Sequence, residues 1–533
     1  TAGVLNVSAS AFGDGFYAEA QGITVDLYAE AFESNRVELA NLVVDVESTS
    51  YDLGGFISSG ASASGIEVTA DLDDTDDNDF VSLSDSSVAV SARGVGSSAD
   101  AVGVEISGQD VSVFAADIVA EAYAGDRTGD GFFVGSHGLE VYAEGEVRLG
   151  RSDDVNGDLD VWSNVGGDIG AGVTNNYAFG AFYSRGIYVD GRGDGVDGIY
   201  VENTTSTSSI ANFGDDVLAG AGLYGIGLLG SDSKYAVSVR ADEGTSPNSE
   251  ARLYGRSVGI DIDADDERVV FDGVMAIGSA YGEVMGGVQG SDGLFFGGPF
   301  GLGEDSGSVG TVYVEGMHIS SAGDVSITDS WAIGYSSLAS DDVAVAAGVG
   351  ATIQGSDSVS VDSSLFGAAV RVALEADGDD ELNLGIAAAS GLQILDTAVL
   401  PEESVRIGGA DGVGEDSPYL RAVAYSQVDG ENAGAGYALA TANGIDIDSS
   451  HSVYLEDVTI DARAAAILTD DGGVVAAGSE DFEVHARATG LSIGEDYFSS
   501  GGAFEFVTTI SGPAKYVEMD SVSVDATAYA YAE

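Results

Sequence analysis

Two acidic loops in this chain have the spacing of oxygen ligands around a hard cation. Asp74, Asp76 and Asn78 occupy alternate positions, and Asp85 follows at the distance of a closing ligand. A calcium ion takes about six to eight oxygens, and loops that bind it supply them in this alternation. The pattern departs at two places: Asp79 stands where such a loop needs glycine, and Asp85 where a longer, bidentate glutamate is expected. The second cluster is Asp153, Asp154, Asn156 and Asp158, with Gly157 to bend it. The expectation is calcium in such loops, the one cofactor the sequence suggests, weighed against plain solvated turns.

Catalysis finds less support. Acid–base chemistry needs carboxylates whose surroundings drive their pKa values apart. Acid pairs such as Asp215-Asp216 and Asp379-Asp380 are present, but the four histidines, His137, His318, His451 and His485, sit in no motif and read as surface residues. There is no cysteine, no phosphate-cradling GxxxxGK[ST] loop and no GxSxG elbow. The expectation is a protein that is not an enzyme.

Charge narrows the partners. With 18 basic and 89 acidic residues, the formal net charge is −71. Such a surface repels nucleic acid and anionic lipid unless divalent ions bridge them. Acidity with only Lys234 and Lys515 for lysine suggests a salty or divalent-rich setting, where screening suppresses self-repulsion. No apolar run approaches the length that spans a bilayer. The sequence begins at Thr1, which reads as a processed product or a piece of something longer.

The elements that must carry these groups are strands. Val522, Val524, Ala526, Ala528, Ala530 and Ala532 alternate with Ser523, Asp525, Thr527, Tyr529 and Tyr531. Side chains on a strand alternate faces, so this is one dry face that tapers from branched bulk to methyl groups, and one wet face. The same taper recurs in Ile23, Val25, Leu27, Ala29 and Ala31, and again in Leu5, Val7, Ala9 and Ala11. Units are marked by a glycine ahead of aliphatic-x-aliphatic: Gly22, Gly65, Gly103, Gly138, Gly186, Gly259, Gly391, Gly444 and Gly490, with Gly310 and Ala351 filling the gap. Each unit is read as about two coils. Where the alternation slips, as after Val111, Val113 and Ala115, a corner or bulge is required.

An internal repeat with variable spacing points to an all-β fold: one elongated β-solenoid (β-helix) of about eleven irregular units over residues 1–533. Long strands imply a flattened cross-section. Membrane barrels want bulk along the whole lipid face, and sandwiches want larger core residues, so both fit less well. An aromatic insertion at 293–303 offers Phe295, Phe296 and Phe300 as an interface knob or a cover for an apolar flank.

In these glycine-punctuated coils the whole chain resembles extracellular β-solenoid proteins of microbes, long adhesins and surface filaments. The resemblance implies architecture and an extracellular or cell-surface location; no functional residue transfers with it. Neither end carries an atypical capping repeat. Leu5, Val7 and Ala9 at one end, and Val522, Val524, Ala526, Ala528, Tyr529 and Tyr531 at the other, are candidates for head-to-tail self-association. The expected function is structural: a filament, fibre or sheath of identical copies, its acid neutralised by salt or calcium. Divalent ions would also bridge it to cell-surface or matrix polymers. The alternatives are a carbohydrate-active or carbohydrate-binding β-helix of tailspike type, and a monomeric adhesin stalk.

Overall fold

The computed structural model describes residues 4–14, 17–27, 36–51, 60–70, 80–125, 132–151, 157–170, 177–191, 198–210, 237–240, 250–264, 268–285, 308–376, 382–395, 404–408, 417–430, 435–448, 452–469, 482–493, 504–510 and 516–532. Among these every regular element is a strand, and the strands form two parallel sheets of 22 and 12 members. The chain is a parallel β-solenoid, the all-β fold its alternation calls for.

One coil shows the plan. Ser308–Ser321 lies in the second sheet; the chain then turns through Val325–Thr328 and Trp331–Ser340, both in the first sheet. It re-enters the second sheet at Val343–Gln354, where Val309 pairs with Val343 of the next coil. Val325 likewise pairs with Val359, and Trp331 with Leu365. Each glycine-marked unit is therefore one coil rather than two. The several strands within a unit belong to different sides of the same turn.

A long first-sheet strand such as Thr459–Thr469 buries Ile460, Ala462, Ala464, Ala466 and Leu468, and the second-sheet strand that follows, Phe482–Ile493, buries Ala486, Ala488, Leu491 and Ile493. Other coils carry bulk along the whole strand, as Phe366, Ala368, Val370, Val372 and Leu374 do. One continuous apolar cluster runs between the two sheets from Ala20 to Ile493. Buried serines stitch the sheets together across this space. Ser163 Oγ donates to the carbonyl of Ser136 at 2.8 Å, and Ser184 Oγ to the carbonyl of Ser163 at 2.8 Å. Both of these hydroxyls are paired, as burial demands.

Two ladders place the slips in the alternation. The first runs along the second sheet through Gly22, Gly65, Gly103, Gly138, Gly186, Gly259, Gly316, Gly350, Gly391, Gly444 and Gly490, which align coil over coil. A Cβ on Gly103 would sit 2.4 Å from the carbonyl oxygen of Gly138 and 2.6 Å from Ile118 Cγ2, so only glycine fits. Gly316 and Gly350 correct two sequence assignments. Gly310 is an ordinary inward residue beside Leu338, and the coil at Ala351 does have its glycine, Gly350.

The second ladder is the corner between short and long first-sheet strands. Asn41, Asp85, Ala115, Gly150, Asn203, Gly273, Asp329, Ser363, Gly408, Asp457 and Ser521 all have positive φ there. The slip read after Ala115 is Ala115 itself, held at φ 50° instead of facing the core. Left-handed backbone is tolerated best by Gly, Asn and Asp, which supply most of these positions. The exposed N–H groups are handed along the stack: Asn203 donates to the carbonyl of Asp272 at 3.0 Å, and Gly273 to that of Thr328 at 3.2 Å. The next residue is often a buried hydroxyl. Ser330 Oγ donates to the carbonyl of Thr328 at 2.7 Å and accepts the N–H of Val274 at 3.3 Å, closing the turn inside the coil and across it.

Candidate functional site

The densest group of ionisable side chains lies on the outer face of the second sheet, along the glycine ladder. In an unbroken strand residues i and i+3 face opposite ways. The slip at each glycine turns the residue before it and the residue two after it to the same side, where they converge. His137 Nδ1 consequently lies 2.7 Å from Glu140 Oε1 across Gly138, and His318 Nδ1 lies 3.4 Å from Glu315 Oε1 across Gly316. Arg185 reaches the neighbouring coil, with Nη2 3.1 Å from Asp261 Oδ2.

Glu315 is the centre of this row. It is 1% exposed and accepts hydrogen bonds from the hydroxyls of Tyr313 at 2.6 Å and Thr352 at 2.8 Å. Arg256 stands 3.9 Å away. Burial alone would raise its pKa, but the hydrogen bond and charge of His318, with the two hydroxyls, hold it below the usual carboxylate range. The hydrogen bond to Glu315 in turn raises His318. Glu140 follows the same logic: burial opposes ionisation, and His137 and then Arg185 outweigh it, so its pKa is lowered. Asp100 and Glu105, one coil away, are raised by burial. The central carboxylates Glu140, Asp261 and Glu315 thus each have a basic side chain beside them. The row rivets coil to coil.

The histidines are where sequence and structure differ. His137 and His318 face outward but are mostly covered, and each is tied to a glutamate. The readable signal was an acid and a histidine flanking a repeat glycine, meaningful only once that glycine is known to reverse the side-chain phase.

The calcium candidates fare differently. Asp74, Asp76, Asn78, Asp153, Asp154 and Asn156 lie outside the described residues, as do the acid pairs Asp215-Asp216 and Asp379-Asp380 and the aromatic insertion with Phe295, Phe296 and Phe300. Asp85 is one of the left-handed corner residues, at φ 47°, and Asp158 is exposed where its coil resumes. Among the described residues no group of three or more His, Asp or Glu is arranged to hold a metal ion.

The self-association candidates occupy the two outermost strands of the first sheet. Leu5, Val7 and Ala9 belong to Leu5–Asp14, which among the described residues pairs on one side only, with Leu42–Tyr51. Val524, Ala526, Ala528, Tyr529 and Tyr531 belong to Ser523–Ala532, which among the described residues pairs only with Thr459–Thr469, and Val522 directly precedes it. Leu5 and Phe12 are 54% and 71% exposed at one end, Tyr529 and Tyr531 52% and 39% at the other. The two tyrosine rings stack 6.2 Å apart.

The order of strands changes at this last coil. Elsewhere a second-sheet strand follows its long first-sheet strand, whereas Phe504–Ile510 comes before Ser523–Ala532 and pairs with Phe482–Ile493. It fills the second-sheet position that Ser523–Ala532 would otherwise feed. Its seven residues pair with Ala486–Ile493 of the twelve-residue strand Phe482–Ile493, with a shift in register between Thr489 and Leu491. In comparisons with known proteins, the chain matches no family model, no curated protein and no solved structure.

Proposed function

We propose that this chain is a structural, non-enzymatic unit of an extracellular filament, fibre or sheath at a microbial cell surface, copies stacking head to tail. The observation that carries the reading is the reordered Phe504–Ile510, which stands in the second sheet of the same rung as Ser523–Ala532. With Phe504–Ile510 in place, a second copy can bring Leu5–Asp14 against Ser523–Ala532 and Ala18–Leu27 against Phe504–Ile510 together, with no missing long strand. The short strand of the joining rung is the one position that neither end supplies among the described residues.

The register of the first sheet, carried one rung further, sets Val7 against Val524, Ala9 against Ala526 and Ala11 against Ala528, so the dry faces continue. Outside, Asn6, Ser8, Ser10, Phe12 and Asp14 meet Ser523, Asp525, Thr527, Tyr529 and Tyr531. No acid faces an acid in this sheet, although the chain carries a net charge of −71. Elsewhere along the filament the acid is neutralised by salt or calcium.

Electron microscopy and sedimentation of the 533-residue chain, at low and at about 1 M salt and with calcium or a chelator, test this. Twelve second-sheet rungs at about 4.8 Å give an axial repeat of about 58 Å per copy. Ala526→Asp, which places a charge in the joint, leaves a folded monomer. A wild-type chain that stays monomeric under all these conditions refutes the reading.

A further inference from the structure

A recess of about 450 Å³ opens on the outer face of the first sheet, lined by three adjacent coils. Its outward residues form two columns: Arg93, Tyr123 and Gly166 in register, and beside them Ser91, Glu121 and Asn164. Two glycines shape it. A Cβ on Gly125 would lie 2.6 Å from Tyr123 Cε1, and one on Gly166 would lie 3.3 Å from its Cδ2. The phenol ring therefore lies down over backbone on both sides, and a side chain at Gly125 would lift it. The Arg93 guanidinium sits 5.6 Å from the ring centroid.

Some arginines on this surface hold a carboxylate, and others, such as Arg93 and Arg406, lie over a tyrosine ring instead. Arg36, Arg151, Arg185 and Arg463 each hold a carboxylate. Arg93 and Glu121 stand in neighbouring columns, yet among the described residues neither has an ion-pair partner. Asn164 accepts from Ser209 at 2.6 Å through its Oδ1, which directs its amide N–H groups elsewhere. A flat apolar platform ringed by a carboxylate, a guanidinium, an amide and a hydroxyl suits a ligand with one apolar face and a rim of hydroxyls. A pyranose ring has that form, and vicinal hydroxyls match both carboxylate and guanidinium. The net charge of −71 selects against anionic sugars.

We propose that the Tyr123 recess is a binding subsite for a neutral pyranose oligosaccharide, with Tyr123 as stacking platform and Arg93, Glu121 and Asn164 holding hydroxyls. It is independent of end-to-end stacking, since it lies on the flank of the solenoid.

The test titrates the full chain with cellotetraose, maltotetraose, chitotetraose and, as the charged comparison, tetragalacturonate, by calorimetry. Saturable binding of a neutral tetrasaccharide is expected, weakened at least about tenfold, or 1.4 kcal/mol, by Tyr123→Ala. Gly166→Val, which crowds the ring, weakens it too, whereas Tyr529→Ala at the far end leaves it unchanged. Circular dichroism confirms that each variant keeps its strands. The proposal is overturned if no neutral tetrasaccharide saturates, if Tyr123→Ala binds as tightly as wild type, or if tetragalacturonate binds best.

Discussion

Replacing Gly103 by alanine tests the glycine ladder most directly. The new methyl would sit 2.4 Å from the Gly138 carbonyl oxygen and 2.6 Å from Ile118 Cγ2, with the Gly138 carbonyl carbon at 3.3 Å. The nearest obstacle is backbone of the adjacent coil, itself fixed by pairing on both sides, so it cannot swing away as a side-chain tip would. Overpacking of this kind costs about 1–3 kcal/mol, and a backbone obstacle places this case at the upper end. Against it stands the entropy that alanine removes from the unfolded chain, about 0.5–1 kcal/mol. The net expectation is a loss of about 2 kcal/mol. Gly60→Ala is the control, because its closest neighbour is the Tyr17 ring at 3.3 Å, which can rotate aside. Urea unfolding followed by circular dichroism reads both variants. If Gly103→Ala unfolds at the wild-type midpoint, or if Gly60→Ala is equally damaging, the ladder does not have the steric role assigned to it.

Two further expectations concern the corner and the charged row. Ala115 holds φ 50° without being Gly, Asn or Asp, so Ala115→Asn should stabilise the chain by up to about 1 kcal/mol in the same urea assay. For the charged row the sign follows from the two shifts. Glu315 is lowered below 4.5, so its contribution is present above 4.5 and lost as pH falls through its folded value. His318 is raised above 6.5, so its contribution is complete below 6.5 and lost as pH rises through its folded value. The stability difference between wild type and His318→Gln should therefore be largest between pH 4.5 and 6.5 and shrink on either side. A difference that grows from pH 6.5 to 9 would contradict the pairing of His318 with Glu315.

How far the sequence discloses this molecule depends on whether a signal is local. Alternation in strands such as Ser523–Ala532 is local and reads directly, as does glycine ahead of aliphatic-x-aliphatic at Gly103 or Gly444. The rule misleads where the first inward residue is not aliphatic bulk: Ala351 hides Gly350, while Gly310, followed by Val312 and Val314, imitates a mark. Coil count is non-local. Val37-Glu38-Leu39 and Val44-Asp45-Val46 look like separate windings, and only the left-handed turn at Asn41 shows them to be one side of a single coil. The charged row is least legible, because Glu315 and His318 meet only if Gly316 reverses the strand's phase. The reordered strand Phe504–Ile510 has no signature at all, since its place is set by what Phe482–Ile493 leaves open.

The left-handed corner also tolerates detours. Val113 and Ala116 are separated by two residues, yet their partners Leu149 and Leu159 in the next coil are separated by residues 150–158, and pairing resumes without loss of register. A coil can thus take extra residues at this point and keep its register. Foreign peptides grafted after Asn203, Asp329 or Asp457 would all emerge from one flank, in single file. Their intervals would be multiples of about 4.8 Å, which makes the scaffold a ruler for displaying epitopes at chosen separations.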